Sequence, residues 1–231
     1  MMRLARFIAE CGKASRRQAE VLIQNGEVTV NGDVVTTPAT TIDELYDTVM
    51  LNGEQLHKKV YEYVKFYKPR GFTCAKDDNR NKTIYDFLGK EFLHLNYVGR
   101  LDKESEGLLL LTNDGELLHA LTHPSFEVPR TYRVTTNQPL QTKDIDKMYA
   151  GIEDEGDVLR CDHIRIKTRV LYELTLHTGR KREIRRMIKA VGKKVESLVR
   201  IEYAGITVGD LEVGEIRPLK DKELSHLRSI L

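Results

Sequence analysis

Apolar residues first recur at Leu4, Phe7, Ile8 and Cys11, the i, i+3, i+4, i+7 spacing of one helix face. Gly12 ends that helix. Ser15 opens a second, with Gln18 completing a capping box, Ala19, Leu22 and Ile23 facing inward, and Gly26 as the stop. "VTVNGDVV" then alternates at period two around Asn31-Gly32, which predicts two short strands joined by a hairpin turn. These elements predict a small first unit over residues 1–60, with its boundary at "QLHKKV".

From Tyr61 onward the period changes repeatedly. "VYEYVKFY" alternates as a strand and breaks at Pro69 and Gly71, "TIYDFLG" has helical spacing, and "GLLLLT" is a short buried strand. "GELLHALTHP" predicts a helix ended by Pro124, "RTYRVTT" and "VLYELTLHTG" predict strands, and "REIRRMIKAVG" predicts a helix. "VESLVRIEYAGI" follows as one more strand. Strands outnumber helices and do not alternate strictly with them. That order predicts an α+β protein with a mixed, mostly antiparallel sheet over residues 61–231, preceded by the small α/β unit.

Composition narrows the class. The chain has 231 residues, of which 40% are hydrophobic and 31% charged, as in a globular protein. Its longest purely aliphatic run, Leu108 to Leu111, falls far short of the roughly 20 residues of a membrane span. Arg3, Arg6 and Glu10 interrupt the first apolar stripe, so no signal-peptide core is expected there. Cys11, Cys74 and Cys161 lack CxxC spacing, which argues against a disulfide framework and for a reducing cytoplasm. The net charge of +2 hides an asymmetry. Residues 176–200 carry nine Lys/Arg against two Asp/Glu, a local excess of +7, leaving −5 for the remainder. One strongly cationic segment in a nearly neutral chain predicts a local polyanion contact, the alternative being a solvated charged helix.

Candidate chemistry comes from a few positions. There is no G-x-x-x-x-G-K-[ST], G-x-G-x-x-G, H-E-x-x-H or G-x-S-x-G. His119 and His123 stand four apart on one helix face, as a metal pair would, but no third ligand lies near them in sequence. Arg16 and Arg17 occupy the first turn of a helix, where the macrodipole disfavours cations. They either extend into water or meet a phosphate docked at that N-terminus. After Gly179, Ile184, Met187, Ile188 and Val191 share one helix face, with Arg182, Arg185, Arg186 and Lys189 opposite. Arg185 falls at the border of the buried side and needs an anion. Asp102, beside the leucine run, is its expected partner, and such a pair would favour the ionised carboxylate.

"GRLDKESEGLLLLTND" resembles the signature of the bacterial ribosomal-RNA pseudouridine synthases, G-R-L-D-x-x-[ST]-x-G followed by aliphatics. The resemblance runs along almost the whole chain. "SRRQAEVLIQNGEVTVNG" is similar to the ribosomal-protein-S-four-like RNA-binding domain that often precedes these enzymes, and "YKPRGFTCA" to their Lys-Pro-x-Gly segment. "PRTYRV" resembles the strand carrying their active-site tyrosine, and "TGRKREIRRMIKAVGKKVESLVRIEYAGI" their C-terminal motif. Two positions, Arg130 for the common lysine and Glu183 for glutamine or glutamate, lie off the implied chemistry.

The resemblance implies a pseudouridine synthase fold and the conversion of a uridine in ribosomal RNA to pseudouridine. Asp102 is then the catalytic aspartate, Tyr132 the aromatic against the target base, and Arg185 the arginine paired with the aspartate. Arg16, Arg17, Lys68, Arg100, Arg180, Arg182 and Arg186 are the expected RNA contacts. No metal or other cofactor is implied, the partner is ribosomal RNA with no membrane, and a monomer is expected. "HPSFEV" and "GRKREIRRM" lean towards the large-subunit enzymes over the small-subunit one. The rivals are a non-catalytic RNA-binding or ribosome-assembly protein and a metal-dependent nuclease.

Overall fold

The structure, a computed structural model, describes residues 1–230. The chain divides into two compact units, Met1–Val60 and Tyr61–Leu231. In the first, β1 (Met2–Arg3) leads into α1 (Leu4–Glu10), and α2 (Arg16–Gln24) follows behind a Ser15–Gln18 capping box. β2 (Val28–Val30) and β3 (Asp33–Val35) form the hairpin, with Asn31 and Gly32 both at positive φ as a tight turn requires. β4 (Thr41–Ile42) pairs with β1, while β5 (Val49–Leu51) and β6 (Glu54–Gln55) extend the sheet in the order β3-β2-β5-β6. The helix stripe does what its spacing predicts: Leu4, Phe7, Ile8, Ala19 and Ile23 are buried against Val28, Ile42 and Val49.

The second unit is organised by β9 (Glu106–Thr112), the "LLLL" strand. Leu108 and Leu110 enter one hydrophobic cluster and Leu109 and Leu111 another, so every leucine is buried because both faces of the strand are covered. β7 (Tyr63–Lys68) and β8 (Asn96–Val98) pair with it antiparallel, with α3 (Ile84–Leu88) between them in sequence. α4 (Gly115–Thr122) starts at an Asp114 cap whose carboxylate accepts two backbone N–H bonds. β10 (Arg130–Thr136) precedes α5 (Thr142–Ala150) and the hairpin β11 (Ile152–Asp154) and β12 (Asp157–Leu159). β13 (His163–Ile166) and β14 (Leu171–Leu176) lead to α6 (Glu183–Ala190) and β15 (Val195–Tyr203).

The main sheet runs β13-β14-β10-β15-β9-β7-β17, where β17 (Ile216–Pro218) precedes the closing helix α7 (Asp221–Arg228). Along that path only the β15–β9 junction is parallel, so the mixed, mostly antiparallel α+β expectation holds. One predicted element is corrected. "VESLVRIEYAGI" is not a single strand but β15, a turn, and β16 (Ile206–Thr207), because Ala204 and Gly205 both adopt positive φ and fold the chain back.

Candidate active site

Asp102 lies in the loop between β8 and β9, and that loop is held through its backbone. Lys68 Nζ, at the end of β7, donates to the carbonyls of Pro69 (3.1 Å), Asp102 (3.3 Å) and Ser105 (2.8 Å). The Leu101 N–H donates to the Cys74 sulfur at 3.4 Å, and the Gly71 N–H to the Lys103 carbonyl at 2.8 Å. Arg200, on β15, donates from Nε to the Leu108 carbonyl (2.8 Å) and from Nη1 to the Arg100 carbonyl (3.4 Å). β9 reaches β15 closely enough for this because residue 107 is glycine: a Cβ there would stand 2.4 Å from the Arg200 carbonyl oxygen. Among the described residues, no hydrogen bond or ion pair occupies the Asp102 carboxylate. The loop is fastened and its functional group is free.

That carboxylate lies on the wall of a cleft of about 670 Å³, within the size range of ligand sites. Seven Lys/Arg line the cleft against two Asp/Glu, Asp102 and Glu183. Tyr132, on β10 between Leu174 of β14 and Arg200 of β15, presents a half-buried ring to the same space. Glu183, at the start of α6, is buried and accepts the Thr178 hydroxyl (2.6 Å) and the Arg180 N–H (3.0 Å). Burial pushes its carboxyl above the ordinary value despite those two bonds. It thereby fixes the 178–182 turn that brings Arg180, Lys181 and Arg182 to the cleft rim.

Several expected site residues stand elsewhere than the sequence placed them. The Arg185–Asp102 ion pair is absent. Ser105 N–H closes a turn on the Asp102 carbonyl, and Arg185 meets the far side of that turn, donating from Nη2 to the Glu104 carbonyl (3.1 Å) and Ser105 hydroxyl (3.3 Å). Its Nε is buried with no partner. Burial and the neighbouring Arg182 push the Arg185 guanidinium down, while the Asp102 and Glu104 carboxylates act against that shift. Lys68, expected on RNA, is 0% exposed and serves the loop backbone instead. Arg186 also turns away from the cleft: Asp154 and Asp157 on the β11–β12 hairpin bind it, the latter at 2.8 Å. Arg100, Arg180 and Arg182 do line the cleft, the last two also paired with Asp157 and Glu104. Arg16 and Arg17 are exposed at the start of α2 in the first unit.

Sequence reading missed the layer beneath. Arg200 is 1% exposed, and its guanidinium lies 4.7 Å over the Tyr203 ring. Arg130 covers that ring as well, at 5.1 Å, and its Nη1 donates to the carbonyls of His177 and Thr178. The signal was available: Leu198 and Arg200 are two apart in a strand, so they share its buried face. His119 and His123 pack ring against ring at 4.9 Å, and no group of three His, Cys, Asp or Glu side chains placed to hold a metal occurs among the described residues.

The family model described as RNA pseudouridylate synthase matches residues 62–190, and the S4 domain model matches residues 2–44. The ribosomal large subunit pseudouridine synthase B of Bacillus subtilis is 37% identical, with 100% of this chain and 97% of that protein covered. The ribosomal small subunit pseudouridine synthase A of Vibrio vulnificus is 33% identical over 98% of this chain and 99% of its own. A crystal structure of a pseudouridylate synthase superposes with a TM-score of 0.69 at 31% identity, covering 98% of this chain and 100% of its own. A model match over more than half of the chain, joined to relatives aligned along nearly all of it, decides the question of kinship: the chain belongs to the RNA pseudouridylate synthase family.

Proposed function

We propose that the protein isomerises a uridine of large-subunit ribosomal RNA to pseudouridine, with Asp102 as the reacting carboxylate and Tyr132 as the ring against the target base. One observation carries this reading: the Asp102 carboxylate is unpartnered on a backbone held from several sides, in a cleft where seven Lys/Arg stand against a single other acidic side chain, Glu183. The reaction breaks the bond between uracil N1 and ribose C1′ and joins C5 to C1′. The C5 proton leaves and N1 gains one, so nothing is added or removed. A carboxylate serves this either as nucleophile at C1′ or as general base at C2′. Either role needs an oxygen not already engaged, which is the state of Asp102.

The target base must leave its stack, at a cost of a few kcal/mol, and an aromatic face at the cleft receives it. Arg100, Arg180 and Arg182, which line the cleft, contribute phosphate contacts in this reading, and Arg185 is a positioning residue that steadies the Asp102 turn from below. The unit over residues 61–231 supplies the chemistry, and residues 1–60 supply RNA affinity through Arg16 and Arg17. The "HPSFEV" and "GRKREIRRM" segments support the choice of that subunit, as does an identity of 37% to the large-subunit relative against 33% to the small-subunit one.

The test is Asp102→Asn, which keeps shape and removes the charge. In single turnover on rRNA from cells lacking the protein, the folded variant should bind RNA as the parent does and form no detectable pseudouridine. Turnover within about tenfold of the parent, roughly 1.4 kcal/mol in barrier, would reject the assignment. Chemical mapping of pseudouridines in the same rRNA identifies the site. A gap in small-subunit RNA alone would overturn the choice of subunit.

A further inference from the structure

α4 presents Leu118 and Thr122 to the cleft, and His119 and His123 lie one step round the same helix end. The two imidazoles are nearly stacked, with ring planes 31° apart and centroids separated by 4.9 Å. Phe126 stands upright against both, at 88° and 6.1 Å from His119 and at 90° and 6.5 Å from His123. Phe126 therefore stands at right angles to a pair of neighbouring imidazoles, and the three rings make an open corner. Phe126 is 42% exposed, and both histidines are exposed as well.

The corner is built rigidly. Pro124 begins a single 3-10 turn over Pro124–Phe126, and His123 Nδ1 is hydrogen-bonded to the Ser125 hydroxyl (2.7 Å) and N–H (3.3 Å). Glu127 closes the turn in the left-handed region, at a φ of 45°. Shortly after it β10 begins with Arg130, which lines the cleft and is followed by Tyr132. A phenylalanine held half in water by a fixed turn contributes little to the core. Exposed rings beside a cationic cleft are the arrangement by which proteins seat unpaired bases.

We infer that the His119–His123–Phe126 corner is a stacking seat for an unpaired base of the RNA substrate, adjacent to the target uridine. The inference rests on the assignment of RNA to the cleft. The base lies against the exposed face of Phe126 with its edge towards the imidazoles, and the sugar-phosphate chain continues past Arg130 into the cleft. Stacking tolerates any base, so the seat adds affinity and register without reading sequence.

The chain contains no tryptophan, so Phe126→Trp introduces a single reporter. Its fluorescence should fall when rRNA from cells lacking the protein is added, whereas a Tyr149→Trp reporter on α5 should not respond. Phe126→Leu keeps apolar bulk without a ring and should weaken binding of that rRNA by about 5- to 150-fold, the effect of removing one base stack. Phe126→Trp should bind as tightly as the parent. Parent-like affinity in Phe126→Leu, together with unquenched fluorescence of the Phe126→Trp variant when RNA is bound, overturns the seat. Pseudouridine formed by the parent in the same reactions separates that outcome from a failure of the substrate assignment, in which the parent itself would form none.

Discussion

At the scale of single residues, the site depends on buried cations that serve the backbone. Lys68 has no exposed surface, and burial pushes its ammonium down, with Arg200 adding to that effect while Cys74 and the Asp102 and Glu106 carboxylates oppose it. Its Nζ instead gathers three carbonyls, two of them from the Asp102 turn. Replacing Lys68 by Met retains length and apolar volume but strands those acceptors. The expected result is a stability loss of about 3 kcal/mol by denaturant titration, given about 1–3 kcal/mol for each unsatisfied buried group and partial relaxation. Single-turnover conversion should fall at least tenfold as the turn loosens, about 1.4 kcal/mol in barrier. A variant as stable and as active as the parent would show that other contacts suffice to hold the loop. Asp102 was legible in sequence because a long polar pattern surrounds it. Lys68 was not, since a lysine ending a strand reads as solvent-facing until its carbonyl partners, distant in sequence, are known.

At the scale of elements, helix α6 shows what periodicity resolves and what it cannot. Ile184, Met187 and Ile188 are buried as the spacing requires, and Arg185 sits at the border where it was expected. The period fixes a direction around the helix but not the neighbour lying in that direction. Arg186 therefore read as a phosphate contact, although the β11–β12 hairpin brings Asp154 and Asp157 to it. That hairpin turns at Glu155-Gly156, both at positive φ, and α5 before it has too few apolar residues to announce itself.

Glu183, at the first position of α6, makes the element sensitive to pH. Its folded carboxyl holds the proton above the ordinary value of 4.5, chiefly because it is buried. The group accordingly contributes stability that is fully present below about 4.5 and lost as pH rises through the raised folded value. Glutamine in its place can accept from the Arg180 N–H and donate to the Thr178 hydroxyl. Glu183→Gln should therefore flatten the stability profile across that interval and melt higher than the parent at neutral pH. Parallel profiles for the two proteins would mean that the carboxyl titrates alike folded and unfolded.

At the scale of the whole molecule, the order of elements was legible but the order of strands in the sheet was not. Nothing in the local pattern of β15 says that Val199 and Arg200 lie parallel to Glu106 and Gly107, yet this junction places Arg200 beneath the Asp102 loop. The charge asymmetry was legible, and it divides the work. The cations of residues 176–200 belong partly to the cleft and partly to ion pairs, so they supply fewer free phosphate contacts than their number implies. Arg16 and Arg17 differ, because both are exposed and neither has an ion-pair partner within 4.0 Å among the described residues. The Ser15–Gln18 capping box and the buried Ala19 and Ile23 hold α2 without them. Removing two cations from a helix N-terminus should leave its stability unchanged or raise it by a few tenths of a kcal/mol. Replacing both with alanine should weaken rRNA binding and lower the slope of log K against log salt by about one unit for each phosphate no longer neutralised, up to about two. Unaltered melting together with a shallower slope is the signature of a binding role in the first unit. A lower melting temperature with an unaltered slope would instead make the two arginines structural, and RNA affinity would then have to come from the cleft alone.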